Sequence, residues 1–180
     1  MENLGICLFT HIPMRSQASD KSEMVSQLLF GETYKVLDNK SKWLLIQLHS
    51  DGYEGWIDSS QHQVLPEEKW HSYNQDTSLI LNNLTANIRT KNNGNRILSF
   101  GSVFKNSMTE IFPDFFGEIS TEDFVAMPTN FDADKMTAAA TKLEGTTYLW
   151  GGKSAFGIDC SGFTQICAKA AGYQLFRDAS

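Results

Sequence analysis

Across residues 1–130 the apolar positions arrive in short runs rather than at helical spacing. Residues 34–37, 43–48, 53–57, 87–89 and 124–127 carry Val, Ile, Leu, Phe, Trp or Tyr and are separated by clusters of Gly, Asn, Asp and Ser. Runs of this kind predict short strands, with turns at Asp38-Asn39, Asp51-Gly52 and Asn92-Asn93-Gly94. An imperfect repeat runs through the region: Phe30-Gly31-Glu32-Thr33-Tyr34-Lys35 is echoed by Phe100-Gly101-Ser102-Val103-Phe104-Lys105. In each copy a glycine between an apolar run and an aromatic residue suits a tight turn leading into a strand. Two copies predict two small β-barrels in tandem, over residues 1–65 and 66–130; a chance echo within a β-rich sequence is the other reading.

Beyond residue 131 the period becomes helical. Met136, Ala139, Ala140 and Leu143 fall at i, i+3, i+4 and i+7, with Asp132 placed as an N-cap and Gly145 just past the end. A second stretch repeats the spacing with Phe163, Ile166, Cys167, Ala170 and Ala171, closed by Gly172. The whole reads as an α+β chain, β-rich at the front and helical over residues 131–180.

Composition narrows the possible partners. The net charge is −6 and the charged residues are dispersed without runs, which argues against a nucleic-acid partner because phosphate binding needs a basic face. No stretch approaches the ~18 apolar residues of a membrane span. The first ten residues lack the basic start and apolar core of a secretory signal. A cytoplasmic location is therefore expected for the chain as written, and a periplasmic or secreted one if a signal has been removed. Three cysteines, Cys7, Cys160 and Cys167, are too few and too scattered for a disulfide framework.

Of these, Cys160 stands apart. It lies where a glycine-rich loop passes into the second helical stretch, so it falls in a helix's first turn. Free backbone N–H groups and the positive end of the helix dipole favour a thiolate there, and Ser161 and Gly162 leave the sulfur approachable. A small packed residue that starts a helix is the competing reading. Cys167 falls on the apolar stripe and Cys7 between Ile6 and Leu8, so both read as packed.

The run Tyr148-x-Trp150-Gly151-Gly152-Lys153-Ser154, then Gly157-Ile158-Asp159-Cys160-Ser161-Gly162-Phe163, resembles the nucleophile segment of the NlpC-type cell-wall cysteine peptidases, a papain-like group. The match continues through Gly172-Tyr173-Gln174-Leu175 and Arg177-Asp178. The front is similar to the bacterial SH3-like modules that precede this peptidase domain in a dipeptidyl-peptidase subfamily. That similarity is carried by the stretch from Ser22 to Glu32 and by Asp51-Gly52-Tyr53-Glu54-Gly55-Trp56-Ile57.

The resemblance implies a γ-D-glutamyl-L-diamino acid endopeptidase acting on free murein peptides that begin L-Ala-γ-D-Glu, with no cofactor and no metal. Cys160 would attack the γ-glutamyl carbonyl, and its backbone N–H with the Tyr148 hydroxyl would hold the oxyanion. Asp159 and Ser161 flank the nucleophile in that scheme, Trp150 lines the wall, and Arg177 and Asp178 stand near the peptide's charged ends. Glu23 and Tyr53, from the first SH3-like module, would recognise the free L-Ala amine. A carboxylate there makes physical sense, since an ammonium buried without a partner is costly. The bland readings are an Arg177–Asp178 surface pair, a solvated Glu23 and a Tyr53 that only packs the barrel.

One departure from the family is plain. Its catalytic His lies well after the Cys, whereas the four histidines here, His11, His49, His62 and His71, all precede Cys160. A fragment of a longer enzyme, a natural truncation without activity, and a second chain that completes the site are the three explanations. Two helices without a sheet would expose Met136, Leu143, Phe163 and Ile166, which predicts a covering partner such as a second copy. The rival function is a non-catalytic module that binds murein peptides or a protein through its SH3-like front.

Overall fold

Alternating burial along residues 43–48 shows how the front is built. The computed structural model describes residues 4–92, 94–117 and 120–178. Strand β5 (Trp43–Leu48) sends Leu44, Ile46 and Leu48 to one face, where they pack with Ile12, Met14, Leu28, Tyr34 and Ile57. It sits inside a six-stranded antiparallel sheet ordered β1-β4-β5-β6-β2-β3, with β1 at Leu4–Ile6, β2 at His11–Arg15, β3 at Met24–Leu29, β4 at Thr33–Lys40 and β6 at Glu54–Asp58. The turn expected at Asp38-Asn39 lies three residues later, at Ser41-Lys42. Asp38 and Asn39 belong to β4, where a register shift between Val36 and Asp38 absorbs an extra residue. The chain reverses instead at Ser41, whose φ is 58°. The turn at Asp51-Gly52 is where the pattern placed it, with Gly52 at φ 72°. That at Asn92-Asn93-Gly94 includes Asn93, outside the described residues.

The next stretch holds helix α1 (Glu67–Gln75), strands β7 (Leu79–Leu81), β8 (Thr85–Arg89), β9 (Asn95–Ser99) and β10 (Val103–Phe104), helix α2 (Ser107–Ile111) and strand β11 (Phe124–Ala126). These strands form a three-stranded sheet, β10-β7-β11, and a separate β8-β9 hairpin. Among the described residues neither this region nor the six-stranded sheet closes into a barrel: the latter ends at β1 and β3.

The sequence repeat is also a structural one. Gly31 and Gly101 take φ values of 80° and 85°, each in a turn closed by a short backbone bond, Glu32 N–H to Leu29 O and Ser102 N–H to Ser99 O, both 3.0 Å. Each glycine N–H reaches back to an earlier carbonyl at or just past the end of a strand, Gly31 to Cys7 O after β1 and Gly101 to Leu81 O in β7. The left-handed backbone demands glycine at both, and space demands it again. A Cβ on Gly31 would overlap the Val103 carbonyl oxygen, and one on Gly101 would come within 2.9 Å of Ile166 Cδ1.

That last contact shows where the rear of the chain docks. Helix α3 (Ala133–Lys142) is capped by Asp132, whose carboxylate accepts the Asp134 and Lys135 N–H groups. Helix α4 (Cys160–Ala170) is capped by Asp159 and follows a small hairpin of β12 (Lys153–Ser154) and β13 (Gly157–Ile158). The apolar stripes of α3 and α4 pack on the front at Leu29 and Phe100, forming one cluster with Ala139, Leu143, Ile158, Ile166 and Cys167. This corrects the expectation of a bare helical face. Leu143 and Ile166 are buried, and Met136 and Phe163 are half-buried against the same cluster. The β-rich front covers what a missing sheet was expected to leave open. No helix among the described residues is long and apolar enough to cross a membrane.

Candidate active site

The loop before α4 is shaped by two close backbone approaches. Gly151 has φ 74°, and a Cβ there would overlap the Met24 carbonyl oxygen of the front. Gly152 N–H bonds Leu149 O at 2.8 Å, and the Asp159 N–H returns to Gly152 O at 3.2 Å. The chain therefore arrives at Cys160 with a defined geometry, pressed against β3.

Asp159 organises the turn at Cys160. Its Oδ1 accepts the Gly162 N–H at 2.7 Å and its Oδ2 the Gly151 N–H at 2.9 Å. The cap thus satisfies the third amide of the helix and leaves the Cys160 N–H at the open end. Both carboxylate oxygens also take the Arg177 guanidinium, at 3.0 and 2.6 Å, and Arg177 Nε donates to Ser26 Oγ at 3.2 Å. Burial alone would raise the Asp159 carboxyl, but the Arg177 pair and the two backbone amides hold it below its ordinary value. Arg177 is buried and its partner is Asp159, so it does not form a surface pair with Asp178. Arg177 thus borders the cavity beside Cys160 and is tied to the cap of α4 through Asp159.

Cys160 itself is exposed, whereas Cys7 and Cys167 are buried. Burial pushes the Cys7 thiol up to about 12 and the Cys167 thiol up to about 11, which keeps both protonated and inert.

A cavity of about 280 Å³ opens beside Cys160. Every residue nominated from the sequence borders it: Glu23 and Tyr53 from the front, Tyr148 and Trp150 from the loop, and Asp159, Ser161, Arg177 and Asp178 around Cys160. Val25 and Gly151 complete the wall. Glu23 is held in place, since Trp150 Nε1–H donates to its Oε1 at 2.6 Å across a sequence separation of 127 residues. Burial raises the Tyr53 phenol, and the nearby Asp178 charge adds to the effect, so this wall offers a protonated hydroxyl beside carboxylates. Cys160 borders two further cavities, one towards Leu175 and Phe176 and one towards Leu143 and Phe163. No histidine lines any of the three among the described residues.

Sequence reasoning missed the groups that lock the two halves together. Glu32, from the turn after β3, accepts Lys153 Nζ at 3.0 and 3.2 Å and Lys169 Nζ at 2.9 Å, with all three side chains buried. Its Oε2 also accepts the Leu29 N–H at 2.9 Å. Gln27 Oε1 accepts the Lys153 N–H at 2.8 Å, and Gln165 reaches the front at Asp51. The one available signal was the charged residue in the first repeat copy, where the second copy has Ser102.

Comparison with known proteins agrees with this geometry. Residues 14–61 match the bacterial dipeptidyl-peptidase Sh3 domain, and residues 145–180 match the NlpC/P60 family. A γ-D-glutamyl-L-lysine dipeptidyl-peptidase of Bacillus subtilis (strain 168) is 29% identical over 170 residues, which is 86% of this chain and 55% of that protein. A protein of the same name from Bacillus cereus (strain ATCC 10987 / NRS 248) is 23% identical over 184 residues, covering 89% of this chain and 54% of its own length. The chain spans about half the length of the curated relatives it matches. Among solved structures, an NlpC/P60 family protein from Bacillus cereus ATCC 10987 superposes with a TM-score of 0.79 over 97% of this chain and 74% of its own, at 17% identity. An NlpC/P60 endopeptidase from Photobacterium damselae subsp. piscicida gives 0.78 over 99% and 45%, also at 17% identity. These likenesses establish the fold. Residues 14–61 are thus similar to a bacterial dipeptidyl-peptidase Sh3 domain, and residues 145–180 are similar to part of the NlpC/P60 family.

Proposed function

We propose that this chain builds the nucleophile and the amine-recognising wall of a cysteine peptidase that cleaves free murein peptides between γ-D-Glu and a diamino acid. The observation that carries the reading is the cavity where Cys160, at the open end of α4, meets Glu23 and Tyr53 from the front. The names of the two Bacillus relatives support the choice of substrate. In the first half-reaction the Cys160 thiolate adds to the γ-glutamyl carbonyl. The C–N bond breaks, the diamino acid leaves as its amine after taking up a proton, and L-Ala-γ-D-Glu remains as a thioester. Water then cleaves the thioester and restores the thiol. The Cys160 N–H and the Tyr148 hydroxyl stand as oxyanion donors, a role worth roughly 3 kcal/mol per donor in other enzymes.

Glu23 and Tyr53 would bind the free L-Ala amine, with Trp150 holding Glu23 in register. The general base must be brought to Cys160 from beyond the residues that line these cavities. A binding-only module is the second reading, favoured by the same lack of a histidine in the cavity walls.

The test uses the protein expressed from its natural reading frame and the tripeptide L-Ala-γ-D-Glu-L-Lys. Release of L-Lys, abolished in Cys160→Ala with binding retained, is the expected result. Glu23→Gln should weaken the free tripeptide and leave its N-acetyl form unaffected. Tight binding with no cleavage by the unaltered protein would establish the module instead.

A further inference from the structure

Two walls of the Cys160 cavity do not belong to the nucleophile helix, yet both are tied to it by one side chain. Gln165 lies on α4, one turn beyond Ser161, and is 4% exposed. Its Nε2 amide has two hydrogens, and the structure uses both. One goes to Asp51 Oδ2 at 2.6 Å, in the turn of the front that leads to Tyr53. The other goes to the Leu175 carbonyl at 3.0 Å, in the segment that carries Arg177 and Asp178. The far oxygen of Asp51 accepts the Tyr53 N–H at 3.0 Å, and the Tyr53 carbonyl accepts the Leu48 N–H at 2.9 Å. A continuous line of hydrogen bonds therefore runs from α4 to the backbone of Tyr53.

The orientation of the amide strengthens the point. Gln165 Oε1 is buried and has no partner among the described residues. A flipped amide would set that oxygen against two acceptors, so the donor side is fixed by Asp51 and Leu175 and the oxygen bears the cost.

We propose that Gln165 is a positioning residue that sets the selectivity of the site for a free N-terminal amine, by holding the Tyr53 turn and the Asp178 segment in register with Cys160. This rests on the function proposed above. Gln165 does not border the cavity where Glu23 and Tyr53 meet Cys160; its effect there passes through Asp51 to Tyr53 and through Leu175 to Asp178.

The test is carried out on the full 180-residue chain. Calorimetric binding of the dipeptide L-Ala-γ-D-Glu is compared with that of its N-acetyl form, and hydrogen exchange is followed at the Tyr53 amide. Gln165→Glu places a carboxylate against two acceptors. It should cut the preference for the free amine by about tenfold and speed exchange at Tyr53. Adding Asp51→Asn exchanges donor and acceptor on that arm alone, so exchange at Tyr53 should return to within about threefold of the starting protein, while the preference recovers only in part because the Leu175 arm stays broken. Unchanged preference with unchanged exchange in Gln165→Glu overturns the proposal. So does a double variant that recovers neither readout, because Gln165 would then act by packing alone. If the unaltered chain shows no preference for the free amine, the proposed function fails, and exchange at Tyr53 decides the clamp by the same criteria.

Discussion

Replacing Glu32 by Gln removes the carboxylate that pairs with Lys153 and Lys169 in the buried seam, and the size of the loss follows from two independent routes. Burial by itself would raise the Glu32 carboxyl. The two ammonium groups and the Leu29 amide overcome that and bring it from 4.5 down to about 2. At about 1.4 kcal/mol for each factor of ten in proton affinity, this fall corresponds to about 3 kcal/mol of stability. The second route counts the lysines left behind: breaking a buried pair by deleting one partner costs about 3–5 kcal/mol. Urea unfolding at neutral pH, followed by tryptophan fluorescence, measures it. With a slope of about 2 kcal/mol per molar, the midpoint should drop by about 1.5–2 M. The folded carboxyl is more acidic than the unfolded one, so its contribution is complete above pH 4.5 and is lost as the pH falls from there through about 2. The gap between wild type and variant should therefore be full at neutral pH and close across that window. Adding Lys169→Met should recover part of the loss, since it removes one of the unpaired ammonium groups. A midpoint drop below about 0.5 M, or a gap that does not narrow in acid, would refute the reasoning.

Three more outcomes are expected. Brief iodoacetamide treatment of the native chain should label Cys160 alone, with Cys7 and Cys167 labelled only after unfolding; mass spectrometry of the digested protein checks this. Gly145→Ala and Gly151→Ala share a left-handed backbone, with φ values of 81° and 74°, but only the second meets the front. Thermal melts should show about 1 kcal/mol lost at Gly145 and at least twice that at Gly151, where a Cβ overlaps the Met24 carbonyl; equal losses would deny the close approach. Asp159→Asn breaks the paired bonds to Arg177 and should lower stability by about 3–5 kcal/mol, read by chemical denaturation, and a loss under about 1 kcal/mol would show that the pair is not the clasp of this loop.

Local features were legible in the sequence and long-range ones were not. The helices of the rear, the Asp132 cap and the approachable Cys160 follow from spacing and from side chains acting on adjacent backbone, whereas the Asp159 cap was not read although the same rule reaches it. The Phe-Gly repeat marked two equivalent turns because a left-handed residue leaves a glycine in the sequence. The cavity residues were found through resemblance: nothing in the periodicity could bring Glu23 to Trp150, 127 positions away. Helix α1 escaped notice because Glu67–Gln75 is almost wholly polar, and Tyr73 is its single buried residue. It is held by tertiary bonds instead, Tyr73 OH to Gly31 O at 2.6 Å and Lys105 Nζ to Tyr73 O at 2.8 Å. Arg177 was placed near the peptide's charged ends, with a surface pair to Asp178 as the alternative, yet it pairs 18 positions upstream with Asp159, a choice made by packing rather than by proximity in sequence. The seam charges were the least legible, since lysines at 153 and 169 look like surface residues until the fold buries them.

That seam bears on how such chains are assembled from parts. A front module transplanted from another protein would have to bring a carboxylate at the place of Glu32, a glutamine-like acceptor at Gln27 and a carbonyl spaced to admit Gly151. Otherwise it would leave two ammonium groups stranded in the junction. Small β modules are often exchanged as loose adaptors on flexible tethers. Here the junction is keyed. Successful recombination of this front with this rear therefore requires moving Glu32, Lys153 and Lys169 together as one unit of inheritance.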